Sequence, residues 1–110
     1  MTPDSFRQLA LSLPDAIEGA HMGHADFRVG GKIFASLGYP RDGWAALALT
    51  PEDQSAFVTM QPKAFVPVKG KWGEQGATNV ILQHARKAQV SLALEAAYET
   101  RVARSRRKRK

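Results

Sequence analysis

The fold is decided by residues 17–37, which read IEGAHMGHADFRVGGKIFASL. Polar and apolar residues alternate at the start of this stretch, up to a turn at Gly23-His24, and this alternation is typical of a strand. Two β-prone runs follow, 26–29 and 32–37, and Gly30-Gly31 joins them. Because both central residues of a type I′ turn need positive φ, the glycine pair predicts a tight hairpin. The stretch therefore predicts three successive strands.

Helix-start signals stand on both sides of these strands. Thr2-Pro3-Asp4 supplies a capping hydroxyl, a proline for the first helical position and an acid for the first turn, so a helix is predicted over about 3–13. Thr50-Pro51 repeats the signal and predicts a helix over about 51–60. Apolar residues at helical spacing predict a longer helix over about 86–102.

The remaining segments predict three further strands, over 44–49, 64–68 and 78–82. A glycine-rich loop, 69–76, separates the last two. Pro67 has no N–H to donate to a neighbouring strand, so its strand is expected at an edge or beside a bulge. The resulting order, α-β-β-β-β-α-β-β-α, favours an α+β two-layer sandwich in which helices cover one face of an antiparallel sheet.

The net charge of +6 is concentrated at the C-terminus. Residues 101–110 hold seven of the sixteen Lys and Arg residues and no acid, whereas 1–100 hold nine basic and ten acidic residues. We therefore expect one domain over 1–102 and a disordered basic tail over 103–110. Within the domain, residues 63–87 hold five basic residues against one acid, which fits either a local positive patch or an ordinary solvated face.

The composition excludes several classes of function. The chain has no Cys, which removes disulfide frameworks, thiolate metal sites and cysteine nucleophiles, and nothing argues for secretion. No stretch approaches the roughly 18 apolar residues of a membrane span, so we expect a cytoplasmic protein without a membrane partner. No serine or threonine stands in a nucleophile motif, and no carboxylate pair is set apart for acid–base work. We therefore expect no enzyme, no catalytic residue and no cofactor.

Five motifs between residues 5 and 104 together carry a family resemblance. They are Leu11-x-Leu13-Pro14, Glu18-Gly19-x-His21-x-Gly23-His24-x-Asp26-Phe27-Arg28-Val29-Gly30-Gly31-Lys32-Ile33-Phe34-Ala35, Leu49-Thr50-Pro51-Glu52, Phe65-x-Pro67-x-x-Gly70-x-Trp72-Gly73-x-x-Gly76-x-Thr78 and Ala93-Leu94-x-x-Ala97-Tyr98. In order and spacing they resemble the MmcQ/YjbR family. The resemblance implies a fold like that of the bacterial frataxins (CyaY-like) and DNA binding, with projecting hairpins or loops as wings. A frataxin-type iron surface would need acids clustered on the first helix, where this chain has only Asp4, so we expect no iron site.

Two segments of the domain are candidate nucleic-acid contacts. The glycine-rich loop offers Lys69 and Lys71 for phosphates and Trp72 as a stacking surface for a base. The Gly30-Gly31 hairpin offers its flanking Arg28 and Lys32, which are predicted to contact a phosphate backbone. A buried Trp72 in an ordinary turn, and solvated charges beside a tight hairpin, are the alternative interpretations. The tail is expected to add salt-sensitive attraction through its basic side chains: Arg104, Arg106, Arg107, Lys108, Arg109 and Lys110.

Two histidines close together in the sequence raise the question of a metal site. His21 and His24, with Glu18 and Asp26, are the one cluster of possible ligands. Their spacing on a strand and a turn lacks the helical geometry of a zinc-protease motif, so we expect no metal. The histidines are instead expected to bond backbone groups or to line a small pocket.

The sequence therefore predicts a non-enzymatic protein that binds nucleic acid, DNA in particular, with a monomer favoured. The alternative is an accessory domain that binds a small molecule or a protein, with a pocket near Phe27, His21, Trp44 and Trp72. A scaffold domain without a ligand is the third interpretation.

Overall fold

Six strands form one antiparallel sheet in the computed structural model, which describes the backbone of residues 1–108 and the side chains of residues 1–103. The sheet has the order β1-β2-β3-β4-β6-β5, so β1 and β5 are its edges. The strands are β1 (Ile17–His21), β2 (His24–Val29), β3 (Lys32–Leu37), β4 (Trp44–Ala48), β5 (Phe65–Pro67) and β6 (Ala77–Ile81). The predicted α+β class with an antiparallel sheet is confirmed. Pro67 does lie on an edge strand.

Four helices accompany the sheet: α1 (Pro3–Leu11), α2 (Pro51–Met60), α3 (Lys71–Glu74) and α4 (Lys87–Lys108). A single 3₁₀ turn, Leu82–His84, precedes α4. The hydroxyls of Thr2 and Thr50 accept the backbone N–H groups of Ser5 and Asp53, which is why α1 and α2 begin where the capping signals predict. Within residues 1–108, no helix is long and apolar enough to cross a membrane.

Several boundaries differ from the sequence-based prediction by one or two residues, such as the end of α1 at Leu11, and two differences are larger. The expected loop 69–76 contains the short helix α3, because Gln54 Nε2 donates to the carbonyl oxygens of Gly73 and Ala77 and fixes the segment against α2. The last helix continues to Lys108 rather than ending at about 102. Ala and Arg have high helix propensity, and they let the backbone of 103–108 continue the helix where a disordered tail was expected. Arg109 and Lys110 lie outside the described residues.

One face of the sheet holds the hydrophobic core. Along β4 and β6 the burial alternates, so that Ala45, Leu47 and Val80 are buried while their chain neighbours are only half-buried. The helices cover these positions with apolar side chains such as Phe6 of α1 and Leu94 of α4. This face therefore fixes the positions of the helices over the sheet.

The other face, which we call the open face, has few buried side chains in the described chain. A single cross-strand row passes over it through all six strands: Gly19, Asp26, Ser36, Ala46, Asn79 and Val66. Each member of the row is half-buried except Asp26, which is completely buried. The open face is thus lined mainly by small residues, and the buried carboxylate of Asp26 lies among them.

The chain connections divide between the two ends of the sheet, because every strand runs antiparallel to its neighbours. At one end, which we call the α3 end, lie the connections 12–16, 30–31, 49–50 and 68–76. The other connections, 22–23, 38–43, 61–64 and 82–86, lie at the opposite end. Since α4 begins at the opposite end and packs along the sheet, its C-terminal part returns to the α3 end. There Arg101 Nε donates to the carbonyl oxygen of Ile33 at 2.8 Å.

Candidate functional site

The segment around α3 forms a fixed projection at one end of the sheet. Gly70 has φ of 81°, a left-handed value that favours glycine, and the first turn of α3 follows it directly. Gly73 packs against the backbone of Val68 so closely that a Cβ there would lie 1.6 Å from the carbonyl oxygen. Trp72 points outward and keeps 73% of its surface exposed, so it is not a core residue. Its ring is available for stacking.

An open pocket of about 210 Å³ lies beside Trp72. It is formed where the start of α2, the end of α3 and the C-terminal part of α4 meet, and its polar lining includes Thr50, Gln75, Thr100 and Arg101. Lys69 and Lys71 are exposed on the same connection as Trp72. The α3 end therefore combines an aromatic surface, a shallow recess and several cationic side chains.

The second candidate segment, the Gly30-Gly31 hairpin, has the predicted turn but not the predicted side-chain arrangement. Both glycines have positive φ, at 58° and 77°, as the tight turn requires. Arg28 lies on the open face and its guanidinium is bonded to a carboxylate, so it is not displayed at the hairpin tip. Lys32 is half-buried at the start of β3. The hairpin is consequently a weaker candidate for phosphate contact than α3.

The carboxylate that holds Arg28 belongs to Asp26, and a histidine completes the cluster. Arg28 Nε donates to Asp26 Oδ1 at 2.7 Å, and Arg28 Nη2 donates to Oδ2 at 3.0 Å. His21 Nδ1 lies 2.7 Å from the same Oδ2. We call these three residues the Asp26 cluster. All three side chains come from β1 and β2 and share the open face. Asp26 and Arg28 alternate along β2, and His21 is two residues from Gly19, which pairs with Asp26.

The Asp26 carboxyl is held in its ionised form. Its hydrogen bonds from Arg28 are the largest influence and hold the pKa below the ordinary value, while burial acts in the opposite direction. His21 adds to the lowering. The same contact raises the pKa of Arg28, chiefly through its hydrogen bonds to Asp26. Arg28 and Asp26 therefore form a lasting ion pair at neutral pH.

Sequence reasoning named Asp26 only as a possible metal ligand and missed its central place in this cluster. The available signal was its i, i+2 spacing from Arg28, which puts the two side chains on one face of a strand. The approach of His21 could not be read in this way, because it depends on how β1 pairs with β2.

The structure does not assemble a metal site from the histidines. The His24 ring packs edge-on against Tyr39, with the ring centroids 5.6 Å apart, and His21 is bonded to Asp26. Among the described residues there is no group of three or more His, Asp or Glu side chains placed to hold a metal ion. Two acids considered as possible metal ligands, Asp4 and Glu18, are both paired with Arg7 at 2.9 Å.

The five basic residues of 63–87 divide between the two ends of the sheet. Lys69 and Lys71 lie at the α3 end, whereas Lys63 and Arg86 lie on connections of the opposite end, where Lys87 begins α4. The segment therefore does not form one continuous positive patch. In the tail, Arg104, Arg106, Arg107 and Lys108 belong to α4 but their side chains fall outside the described part, as do Arg109 and Lys110 entirely.

The four residues expected around a small-molecule pocket are not brought together. Phe27 is completely buried in the core, and His21 lies on the open face. Trp44 lines a pocket of about 180 Å³ at the opposite end of the sheet, while Trp72 borders the pocket at the α3 end.

Comparison with known proteins identifies the fold and the family. The crystal structure of Deinococcus radiodurans protein DR2400, with the family-model domain DUF419, superposes with a TM-score of 0.72 at 19% sequence identity. The alignment covers 88% of this chain and 75% of that chain, and at this identity the likeness concerns the fold alone. No curated protein matches the sequence. The YjbR family model matches residues 11–100, and the chain belongs to the YjbR family.

Proposed function

We propose that this protein binds nucleic acid, DNA in particular, without catalysing a reaction, and that the α3 end of the sheet is the contact surface of its folded part. The observation that supports the proposal is that two parts of the chain lie side by side. The connection that carries Lys69, Lys71 and Trp72 lies beside the C-terminal part of α4, where Arg101 is seated and where the basic segment continues.

The chemistry of these groups suits a polynucleotide. Exposed lysines neutralise phosphates without needing a fixed geometry, and each phosphate contact adds to the salt dependence of binding. An exposed tryptophan offers a stacking surface to any base, and such stacking is worth about 1–3 kcal/mol per base. The α3 end thus provides backbone attraction and an aromatic contact within one connection.

Acidic residues limit how tightly the folded part can bind by itself. Glu52 and Asp53 occupy the first turn of α2 and Glu74 lies in α3, all at the same end of the sheet as Lys69 and Lys71. The first 100 residues carry ten acids against nine basic residues. We therefore infer a division of work in which the C-terminal segment supplies non-specific attraction and the α3 end positions the nucleic acid. The expected likeness to bacterial frataxins stays a prediction.

A pair of double variants tests the location of the contact. Lys69→Ala with Lys71→Ala removes two exposed charges at the α3 end, and Lys63→Ala with Lys87→Ala removes two exposed charges at the opposite end. Because both pairs change the net charge equally, a difference between them reports position. Fluorescence anisotropy with duplex and single-stranded oligonucleotides, over about 50–200 mM salt, measures affinity and the salt slope.

We expect the first pair to weaken binding several-fold and to reduce the salt slope by up to about 2, since each lost phosphate contact removes about 0.9. The second pair should bind almost as the unchanged protein does. Trp72→Ala should weaken single-stranded binding more than duplex binding, because stacking needs an unpaired base. Equal losses in the two double variants would mean that net charge alone, and not the α3 end, governs binding.

A further inference from the structure

We propose that the open face carries a second binding site, for a small ligand with a carboxylate or phosphate group, which is bound by Arg28 and His21 and organised by Asp26. This site is separate from the α3 end, so it stands or falls independently of nucleic-acid binding.

Asp26 acts in this site as a positioning residue. Its side chain has no exposed surface, and its two oxygens receive three nitrogen donors. Burying a carboxylate carries a desolvation cost that an apolar residue at the same position would avoid. A carboxylate buried on an otherwise half-open sheet face is therefore better explained by the side chains it orients than by packing.

The nitrogens that Asp26 leaves unused are the ones available to a ligand. Arg28 bonds through Nε and Nη2, so both N–H groups of Nη1 remain, and the side chain is 35% exposed. His21 bonds through Nδ1, so Nε2 lies on the far side of a ring that is 46% exposed. Neither Nη1 nor Nε2 has a hydrogen-bond partner among the described residues. Two nitrogens on neighbouring strands are therefore left to meet the oxygens of one oxyanion.

The small residues beside Asp26 leave room for the ion pair itself. Gly19 faces Asp26 directly across the strands, and a Cβ at this position would lie 3.0 Å from both Arg28 Nε and Asp26 Oδ1. Ser36 faces Asp26 from the other neighbouring strand and is half-buried. The Arg28 guanidinium can therefore lie over Gly19, where its side chain stays 35% exposed.

Binding at His21 is coupled to a proton. With Nδ1 directed to Asp26, the neutral ring has a lone pair at Nε2, and only the protonated ring can donate there to an oxyanion. The charged and titratable groups around this ring are Asp26, Arg28, His24, Tyr39 and, on the other face of β1, the Arg7–Glu18 pair. Asp26 and Arg28 cancel, so the protonated ring gives the site a net positive charge. The ligand should therefore bind more tightly as the pH falls.

The test uses the full chain, labelled with ¹⁵N, and two probes, inorganic phosphate and acetate. Amide and Arg28 Nε–H resonances are followed during each titration at about pH 6 and about pH 8, on either side of the usual histidine range. Site-resolved signals are needed because the C-terminal segment also attracts anions. His84, on the connection between β6 and α4, serves as the internal reference.

We expect saturable shifts in residues 19–28 with one or both probes and no matching shift at His84. The shifts should be stronger at the lower pH with acetate, which is ionised at both pH values. The probe that binds more tightly identifies the ligand group. Arg28→Lys and His21→Gln should each weaken binding about fivefold or more, because each removes a donor to a charged group. Arg86→Gln, an exposed arginine on the connection after β6, is far from β1 across the sheet; it is the matched control and should change nothing.

Two results would overturn the proposal. One is a titration in which residues 19–28 respond no more than His84 to either probe. The other is an unchanged affinity in His21→Gln, which keeps the Arg28–Asp26 pair and should still fold as judged by thermal unfolding. Loss of nucleic-acid binding in the Lys69 and Lys71 variant would leave this outcome unaffected.

Discussion

A single carboxylate shows how much one residue can decide in this fold. Asp26 is one of only two buried polar side chains in the described core, and it lies on the face that the helices do not cover. Its charge is balanced by Arg28 two positions away, and it also bonds the imidazole of His21 on the neighbouring strand. The contact between Asp26 and His21 therefore joins β2 to β1 on the open face.

The lowered pKa of Asp26 predicts an acid-sensitive contribution to stability. A carboxyl whose pKa is lower in the folded than in the unfolded chain stabilises the fold above the unfolded value of about 3.9 and loses that contribution as the pH falls towards the folded value. Asp26→Asn should therefore be less stable at neutral pH by about 2 kcal/mol, through lost charged hydrogen bonds. Its stability should also change less between neutral and acidic pH.

Urea unfolding followed by circular dichroism at a series of pH values measures both effects. Asp4→Asn is the control, since Asp4 also pairs with an arginine but its side chain is 84% exposed. Stability curves for Asp26→Asn and the unchanged protein that run parallel into the acid range would contradict the prediction.

At the scale of elements, the local signals decide more than the tertiary ones. The Thr-Pro caps of α1 and α2 and the Gly30-Gly31 turn act within a few residues, so the sequence alone predicts them. The helix α3 could not be predicted in this way. Its four residues include Gly73, and it is stabilised by Gln54, which is distant in the sequence. Only the folded chain brings these groups together.

The close packing of α3 against Val68 predicts that two glycine substitutions lower the free energy of unfolding by different amounts. Gly73→Ala should lower the free energy of unfolding by about 2 kcal/mol or more, because its Cβ would overlap the carbonyl oxygen of Val68. Gly31 has positive φ, but a Cβ there would meet open space. Gly31→Ala should therefore lower the free energy of unfolding by only about 1 kcal/mol. Urea unfolding of both variants measures the difference, and similar losses would show that the backbone contact at Gly73 is adaptable.

At the scale of the whole molecule, the sequence predicts which charged residues the chain has, and the sheet topology decides which of them lie close together. The sixteen basic residues can be counted without a structure, but the separation of Lys69 and Lys71 from Lys63, Arg86 and Lys87 follows from strand order. The placement of Gly19, Asp26 and Ser36 in one row likewise follows from strand register. A shift of one residue would turn these side chains to the other face.

A deletion of residues 104–110 tests how much the C-terminal segment contributes to the attraction of polyanions. The deletion takes away six basic residues and no acid, so the formal charge falls from +6 to zero. Affinity for duplex DNA should fall and its salt dependence should flatten, because fewer counterions are released. Thermal unfolding should change little, since Val102 and the core contacts before it remain. An unchanged salt slope in anisotropy titrations would exclude the segment from the contact.

The bond from Arg101 to Ile33 anchors the C-terminal part of α4 at the end of the sheet that carries Trp72. Because residues 102–108 continue the helix, they extend only about 10 Å beyond Arg101. Under the proposed function, a DNA strand held by these residues would stay close to Trp72, at an effective concentration on the order of millimolar. Inserting uncharged flexible residues after Arg101 should lower that effective concentration without altering a charge.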